Sequence, residues 1–187
     1  MTNMHIDIIM EKPEMDMAIA KLAAYIVANY EDISGIVLVG IRTGGAYLAN
    51  RIKDKIKEVN GVDIITGALD ITLYRDDWTS ISRKPLVGKT EIPISIDNKV
   101  VMLVDDVLYT GRTARAAMDA LIDFGRPKRI ELAVLVDRGL REFPVCANYV
   151  AKHCPTRSHQ VVNVYLSEAG ETDRVTLEWP VEAETAA

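Results

Sequence analysis

Several features that mark special classes of protein are missing from this 187-residue chain. It has no basic excess: 22 Lys and Arg face 27 Asp and Glu, so the net charge is −5. A dedicated nucleic-acid-binding protein usually has such an excess, although a local basic patch is compatible with a negative total. The two cysteines, Cys146 and Cys154, form neither a CxxC pair nor a zinc-spaced cluster, which indicates free thiols in a reducing compartment.

Targeting and nucleotide-binding motifs are also missing. His5, Asp7, Glu11 and Lys12 stand where a signal peptide would have a basic start and an apolar run. No apolar stretch approaches the ~20 residues of a membrane span. The chain contains neither a GxxxxGK[ST] loop nor a GxGxxG fingerprint, so ATP and NAD are poor candidates for its ligand. We therefore expect a soluble, cytoplasmic protein.

What the chain does contain is enough apolar sequence for one compact domain. Hydrophobic residues make up 49% of the sequence, and the length is too short for a second full domain. We expect a single domain over residues 1–180 and a frayed, acidic and Ala-rich tail over residues 181–187.

Helical and strand-like periodicities alternate along the chain. The spacing predicts helices over residues 14–30, 48–59 and 113–124. It predicts strands over residues 36–40, 64–74, 100–104, 130–136, 149–151, 161–166 and 174–179. Three of these strands, at residues 36–40, 100–104 and 130–136, are mainly apolar, which is typical of a parallel sheet buried on both faces. We therefore predict an α/β fold, with a mainly parallel central sheet flanked by helices and a smaller antiparallel appendage formed by the last segments.

Periodicity is lost between the strand at residues 64–74 and the strand at residues 100–104. A loose hairpin through residues 86–87 and 92–94 is one possibility. Long irregular insertions are uncommon in compact domains unless they serve as lids or binding loops. A functional lid and a plain surface loop both remain open at this point.

Three of the apolar strands end in polar, glycine-containing turns. These turns are residues 42–45 (Arg-Thr-Gly-Gly), 105–113 and 137–139 (Asp-Arg-Gly). In open parallel sheets, ligands bind beyond the carboxyl ends of the strands. All three turns are therefore expected at one binding edge.

The middle turn carries the sharpest chemical signal. Thr110, Gly111 and Thr113 lie between a strand and a helix, where backbone N–H groups and hydroxyls can hold a phosphate. Asp105 and Asp106 come just before them, where carboxylates can accept hydrogen bonds from a ribose diol or hold Mg²⁺ directly or through water. The alternative is that these side chains only cap a turn and a helix. Two adjacent acids beside a phosphate-type loop favour a ribose phosphate with a metal nearby.

A family resemblance follows from this motif and its flanks. The motif begins at Val101 and ends at Thr113 (Val-Met-Leu-Val-Asp-Asp-Val-Leu-Tyr-Thr-Gly-Arg-Thr), and it resembles the signature of type I phosphoribosyltransferases that binds 5-phosphoribosyl-1-pyrophosphate (PRPP). Residues 70–77 (Asp-Ile-Thr-Leu-Tyr-Arg-Asp-Asp), 125–127 (Gly-Arg-Pro) and 132–139 (Leu-Ala-Val-Leu-Val-Asp-Arg-Gly) are similar to the PyrR family. That family comprises pyrimidine-operon attenuation regulators that are also uracil phosphoribosyltransferases.

The resemblance implies a role for each motif. Asp105 and Asp106 would bind the ribose hydroxyls and Mg²⁺, and Arg75 would assist catalysis from a flexible loop over residues 75–98. A C-terminal hood would cover residues 140–180. The implied substrate contacts fall in the pyrophosphate turn, the 5′-phosphate loop with the residues just before it, and the surroundings of the base: Arg42, Thr43 and Gly44; Val107, Leu108, Tyr109, Thr110, Gly111, Arg112 and Thr113; Asp137, Arg138 and Val162.

The implied function is conversion of uracil and PRPP to UMP and pyrophosphate, with regulation through UMP- or UTP-dependent binding of leader RNA by a homo-oligomer. A transferase for a purine base or orotate, and a nucleotide sensor with little enzymatic activity, are the alternatives. Gly44 stands where the family commonly has Arg, which bears on catalytic efficiency. Cys146 stands where an RNA-binding member is expected to have another Arg. Lys152 and Arg157, with Arg138 and Arg141, are the candidates for a basic face.

Overall fold

The computed structural model describes residues 4–76 and 88–181. Within them, the chain forms three α-helices: α1 (Lys12–Ala28), α2 (Gly44–Asn60) and α3 (Arg112–Ile122). It also forms the strands β1 (Met4–Glu11), β2 (Ile36–Ile41), β3 (Ile65–Leu69), β4 (Val100–Leu108), β5 (Arg129–Asp137), β6 (Tyr149–His153), β7 (Val161–Tyr165) and β8 (Arg174–Pro180). A short 3₁₀ helix at Ser167–Ala169 precedes β8.

The central sheet has five strands in the order β3-β2-β4-β5-β6, and every neighbouring pair is parallel. This confirms the predicted α/β fold with a parallel central sheet. All six residues of β2 are buried, as expected for a strand without a polar face.

Successive side chains of a strand point to opposite faces, so the sheet has two cores. On one face, Ile36 and Leu38 pack with the buried side chains of α1 and α2. On the other face, Val37 and Val39 pack with those of α3. Helices therefore cover both faces, and the polar residues after each strand are left to the sheet edge.

A second, three-stranded sheet has the order β1-β8-β7, with both pairs antiparallel. Two findings differ from the sequence-based expectation. β1 was not predicted, although it pairs with β8 along most of its length. The strand at Tyr149–His153 was expected in the antiparallel appendage, but it pairs in parallel with β5 and forms the edge of the central sheet. Its partly exposed residues have no strong pattern, so neighbours distant in sequence decided its sheet.

The strands near the predicted site also end at residues other than those predicted from the sequence. β3 ends at Leu69, opposite Ile41, and residues 70–74 form a turn instead of continuing the predicted strand. β4 continues past residue 104 to Leu108, because its pairing with β5 extends to Asp137. Asp105 and Asp106 thus lie within a strand.

The stretch predicted as a lid is described in part. Residues 77–87, which include the first half of the suggested hairpin, lie outside the described residues. In the described part, Glu91 forms an isolated antiparallel bridge with Ala68, and residues 92–94 belong to no strand. Among the described helices, none is long and apolar enough to cross a bilayer.

Candidate active site

A polar cleft of about 470 Å³ lies at the carboxyl edge of the central sheet, where β2, β3 and β4 end. Its lining comes from four separate segments: Ile41, Arg42 and Thr43; Asp70, Ile71, Thr72 and Arg75; Gly88; Asp105, Asp106, Val107 and Thr113. The structure therefore brings together two of the three predicted turns, with the predicted catalytic residue Arg75 beside them. This is the arrangement expected for ligand binding by an open parallel sheet.

The two acids of β4 lie on the cleft wall. Asp105 is buried, whereas Asp106 is half-buried. The carboxylate of Asp105 accepts the backbone N–H of Asp106 at 3.0 Å, and that of Asp106 accepts the N–H of Val107 at 2.7 Å. Burial, followed by the charge of Asp106, raises the pKa of Asp105 well above its usual range, and burial also raises that of Asp106. Such a pair is suited to accepting ligand hydroxyls or a cation.

The turn after β2 approaches these acids closely. The peptide bond between Arg42 and Thr43 is cis, and helix α2 starts at Gly44. A Cβ atom on Gly44 would lie 2.4 Å from Oδ2 of Asp106, and one on Gly45 would lie 2.2 Å from the carbonyl oxygen of Val104. Only glycine fits both positions with their surroundings as they stand. The turn therefore presents its backbone directly to the carboxylate pair.

Arg42 lines the cleft, and its side chain is held by Lys89 and Glu91. Its Nε donates to the carbonyl oxygen of Lys89 at 2.9 Å, and its Nη2 lies 3.6 Å from a carboxylate oxygen of Glu91. The Arg42 guanidinium therefore lies at the turn after β2, where it lines the cleft and pairs with Glu91.

The loop between β4 and α3 leads directly into the N-terminus of the helix. Gly111 has φ +92°, a conformation that favours glycine, and immediately precedes α3. The first N–H groups of a helix have no intrahelical partner and can bind an anion. Thr113 lines the cleft. The guanidinium of Arg112, in contrast, pairs with Glu142 and Asp76, so its side chain is occupied by protein carboxylates.

Sequence reasoning missed Asp70, Thr72 and Gly88 as parts of this cleft. The Asp70 carboxylate accepts the N–H groups of Thr72, at 2.7 Å, and of Gly88. Burial alone would raise the pKa of Asp70, but these hydrogen bonds and the charge of Arg42 bring it below its usual value. The sequence signal that could have located them is the end of the strand next to β2, because the ends of neighbouring parallel strands lie at the same edge of the sheet.

The third predicted turn is adjacent to the cleft. The Arg138 N–H donates to the carbonyl oxygen of Leu108 at 3.1 Å, which holds the ends of β4 and β5 together. Asp137 pairs with Arg141, and Val162 is buried in the second sheet. The Arg138 side chain is also buried and contacts protein groups.

The donors of the cleft are compatible with Mg²⁺. Among residues 4–76 and 88–181, no three His, Cys, Asp or Glu side chains cluster as a metal site. Mg²⁺ is commonly held by one or two carboxylates together with water and substrate phosphates, and Asp105 and Asp106 supply two carboxylates. They are the residues that would hold it.

Comparison with known proteins agrees with this geometry. The phosphoribosyl transferase domain model matches residues 5–168. The fold resembles a hypoxanthine phosphoribosyltransferase of Trypanosoma cruzi, with a TM-score of 0.70 at 18% identity over 94% of this chain and 97% of that one. A hypoxanthine phosphoribosyltransferase from Staphylococcus aureus gives a TM-score of 0.67 at 20% identity over 96% and 94%. The chain therefore has a phosphoribosyltransferase domain.

Closer relatives narrow the family. The chain is 49% identical over 179 residues to the bifunctional protein PyrR of Syntrophobacter fumaroxidans, covering 96% of each chain. It is 53% identical over 169 residues to the bifunctional protein PyrR of Thermus aquaticus, covering 90% of this chain and 93% of that one. The chain belongs to the PyrR family, which confirms the resemblance noted in its sequence.

Proposed function

We propose that the chain transfers the phosphoribosyl group of PRPP to uracil, giving UMP and pyrophosphate, and that it also regulates pyrimidine operon expression. The observation that carries the enzymatic proposal is the cleft itself. One polar space is lined by the adjacent acids Asp105 and Asp106, by Arg42 and Thr43 of the turn after β2 and by Thr113 at the start of α3. A ribose that carries phosphates at both ends needs these three elements.

Each element has a defined task in this proposal. The loop at residues 110–113 holds the 5′-phosphate through backbone N–H groups and hydroxyls. Asp105 and Asp106 accept hydrogen bonds from the ribose hydroxyls. Bound Mg²⁺ would supply positive charge to the leaving pyrophosphate. Arg75 and Arg42, which both line the cleft, add further positive charge where negative charge develops.

The reaction then depends mainly on placement. The bond from C1 of the ribose to pyrophosphate breaks as the base nitrogen forms its bond to C1. Pyrophosphate leaves with the bonding electrons, and the proton of the base nitrogen is released to solvent. The base must be held in line with C1. We assign this task to the region of Asp137 and Val162. Uracil is the proposed base because of family membership.

Regulation would use the same pocket as a sensor for UMP or UTP, with leader RNA as the partner and a homo-oligomer as the active assembly. The structure reduces the number of residues that are candidates for the basic face. Arg138 is 4% exposed, and Arg141 pairs with Asp137 and donates to several backbone carbonyls, so both serve internal contacts. Lys152 and Arg157 remain exposed. They are the cations from which an RNA surface would start.

The decisive experiment measures UMP formation from labelled uracil and PRPP with Mg²⁺. Wild type is compared with Asp106→Asn, and hypoxanthine and orotate serve as alternative bases. Asp119→Asn is the matched control, because Asp119 is an exposed acid of α3 that pairs with Arg115. Turnover confined to uracil, lost in Asp106→Asn and kept in Asp119→Asn, supports the proposal.

Absence of turnover with every base would refute the enzymatic proposal. Binding of UMP under those conditions would favour the alternative of a nucleotide sensor with little activity. Gly44, which replaces the family's usual Arg, would then be the first residue to test.

A further inference from the structure

Arg138 makes contacts that extend beyond its own turn. Its guanidinium lies over the ring of Tyr109, 3.9 Å from the ring centroid. Its Nε donates to Oγ1 of Thr156 at 3.0 Å, and its Nη2 donates to the carbonyl oxygens of Arg157, at 3.4 Å, and Gln160. A planar guanidinium can stack and donate at the same time, which a lysine cannot do.

The backbone reinforces the same connection. The N–H of Cys154 donates to the carbonyl oxygen of Asp137 at 2.8 Å, and the N–H of Thr156 donates to that of Arg138 at 3.2 Å. Residues 154–160 join β6 to β7, so this segment carries the chain from the central sheet to the second sheet. The backbone therefore holds the start of this segment at the end of β5, and the Arg138 side chain holds its last residue, Gln160.

Tyr109 links this segment to the PRPP motif. It follows β4 directly and precedes the phosphate loop. Its carbonyl oxygen accepts Nη1 of Arg141 at 2.6 Å, and its ring lies under Arg138. A single buried guanidinium thus connects the PRPP motif with the segment that leads to Val162, the residue assigned to the surroundings of the base.

We propose that Arg138 is a positioning residue for the base: it clamps residues 154–160 onto Tyr109 and so fixes β7 relative to the ribose site. In this proposal it acts through these groups, and not through the direct contact with the base that the family resemblance implies for it. The inference rests on the proposed function, since uracil is the base it concerns. A clamp on the base side alone should change the use of uracil and the binding of UMP, while the use of PRPP stays close to that of wild type.

The test compares Arg138→Met, Arg138→Lys and Thr156→Val with wild type. His159→Gln is the control, because His159 is an exposed residue of the same segment. Thr156→Val removes the hydroxyl partner with little change of shape, and it keeps the test decisive if Arg138→Met does not fold. The measurements are kcat/KM for uracil and for PRPP, the UMP affinity by calorimetry, and the melting temperature.

We expect Arg138→Met to lower kcat/KM for uracil and the affinity for UMP by about 10-fold or more, because a small displacement of a binding segment is costly. Arg138→Lys should recover part of this loss, Thr156→Val should show a smaller loss of the same kind, and His159→Gln should match wild type. Equal losses for uracil and PRPP, or a lower melting temperature with unchanged kinetics and UMP affinity, would overturn the inference. The UMP titration separates this outcome from failure of the proposed function, because it needs no turnover.

Discussion

The ion pair between Arg51 of α2 and Asp173, just before β8, offers a quantitative test of how the second sheet is attached. Nη1 and Nη2 of Arg51 lie 3.0 and 2.8 Å from the two carboxylate oxygens of Asp173, and Nε lies 2.7 Å from Glu168. The Asp173 side chain is 2% exposed. Removing the partner of a buried charge costs about 3–5 kcal/mol, whereas an exposed pair contributes little.

For Arg51→Met we expect a loss of about 3 kcal/mol, the lower end of that range. Asp173 would keep two partners, the N–H of Ser167 at 2.7 Å and Nζ of Lys12 at 3.4 Å. For a domain of this size, the loss corresponds to a decrease of roughly 6–12 °C in Tm. The assay is urea unfolding followed by circular dichroism, with thermal melting in parallel.

Lys55→Met is the control, because Lys55 lies four residues further along the same helix and forms an exposed pair with Glu58. It should cost less than about 0.5 kcal/mol. The double variant Arg51→Met/Asp173→Asn should be more stable than the sum of its single changes implies. A cost below about 1 kcal/mol for Arg51→Met, or one equal to that of Lys55→Met, would refute the account of a buried charge.

Three further predictions concern the turn after β2, acid stability and the metal. Gly45→Ala should lower the free energy of unfolding in urea by about 2 kcal/mol or more, because its Cβ would meet backbone atoms. Gly35→Ala, which has open space around it, should leave that free energy unchanged, and equal stabilities of the two variants would contradict the prediction. The Arg51 hydrogen bond, acting against burial, holds the pKa of Asp173 well below its usual range, so this stabilisation is present above about pH 4 and is lost as the pH falls further. Between about pH 6 and 3 the Tm of wild type should therefore decrease more steeply than that of Arg51→Met, and parallel curves would count against this reasoning. Removing Mg²⁺ with EDTA should abolish UMP formation. It should leave the Tm of the substrate-free protein unchanged, because no cluster of three metal-ligating side chains occurs within residues 4–76 and 88–181, and a lower Tm would indicate a structural metal.

The central strands, and the sheet edge that carries the PRPP motif, could be predicted from the sequence because their signals are local. β2 is wholly apolar and proved to be buried along its whole length. Asp105, Asp106 and Thr113 were predicted at the binding edge and do line the cleft. Strand ends were less accurate, because the last paired residue depends on the neighbouring strand. Asp70 was missed for this reason: its turn became visible only once β3 was seen to end at Leu69.

The amino-acid sequence by itself determined which segments are buried, where glycine and paired acids interrupt them, and which family the motif resembles. These properties depend on residues that are neighbours along the chain. Only the tertiary structure decided that β6 joins the parallel sheet, that β1 completes the second sheet, and that Arg138 and Arg51 hold the segments leading into β7 and β8. Such contacts join residues far apart in sequence, and their partners are selected by the packing of the whole domain, which no local pattern encodes.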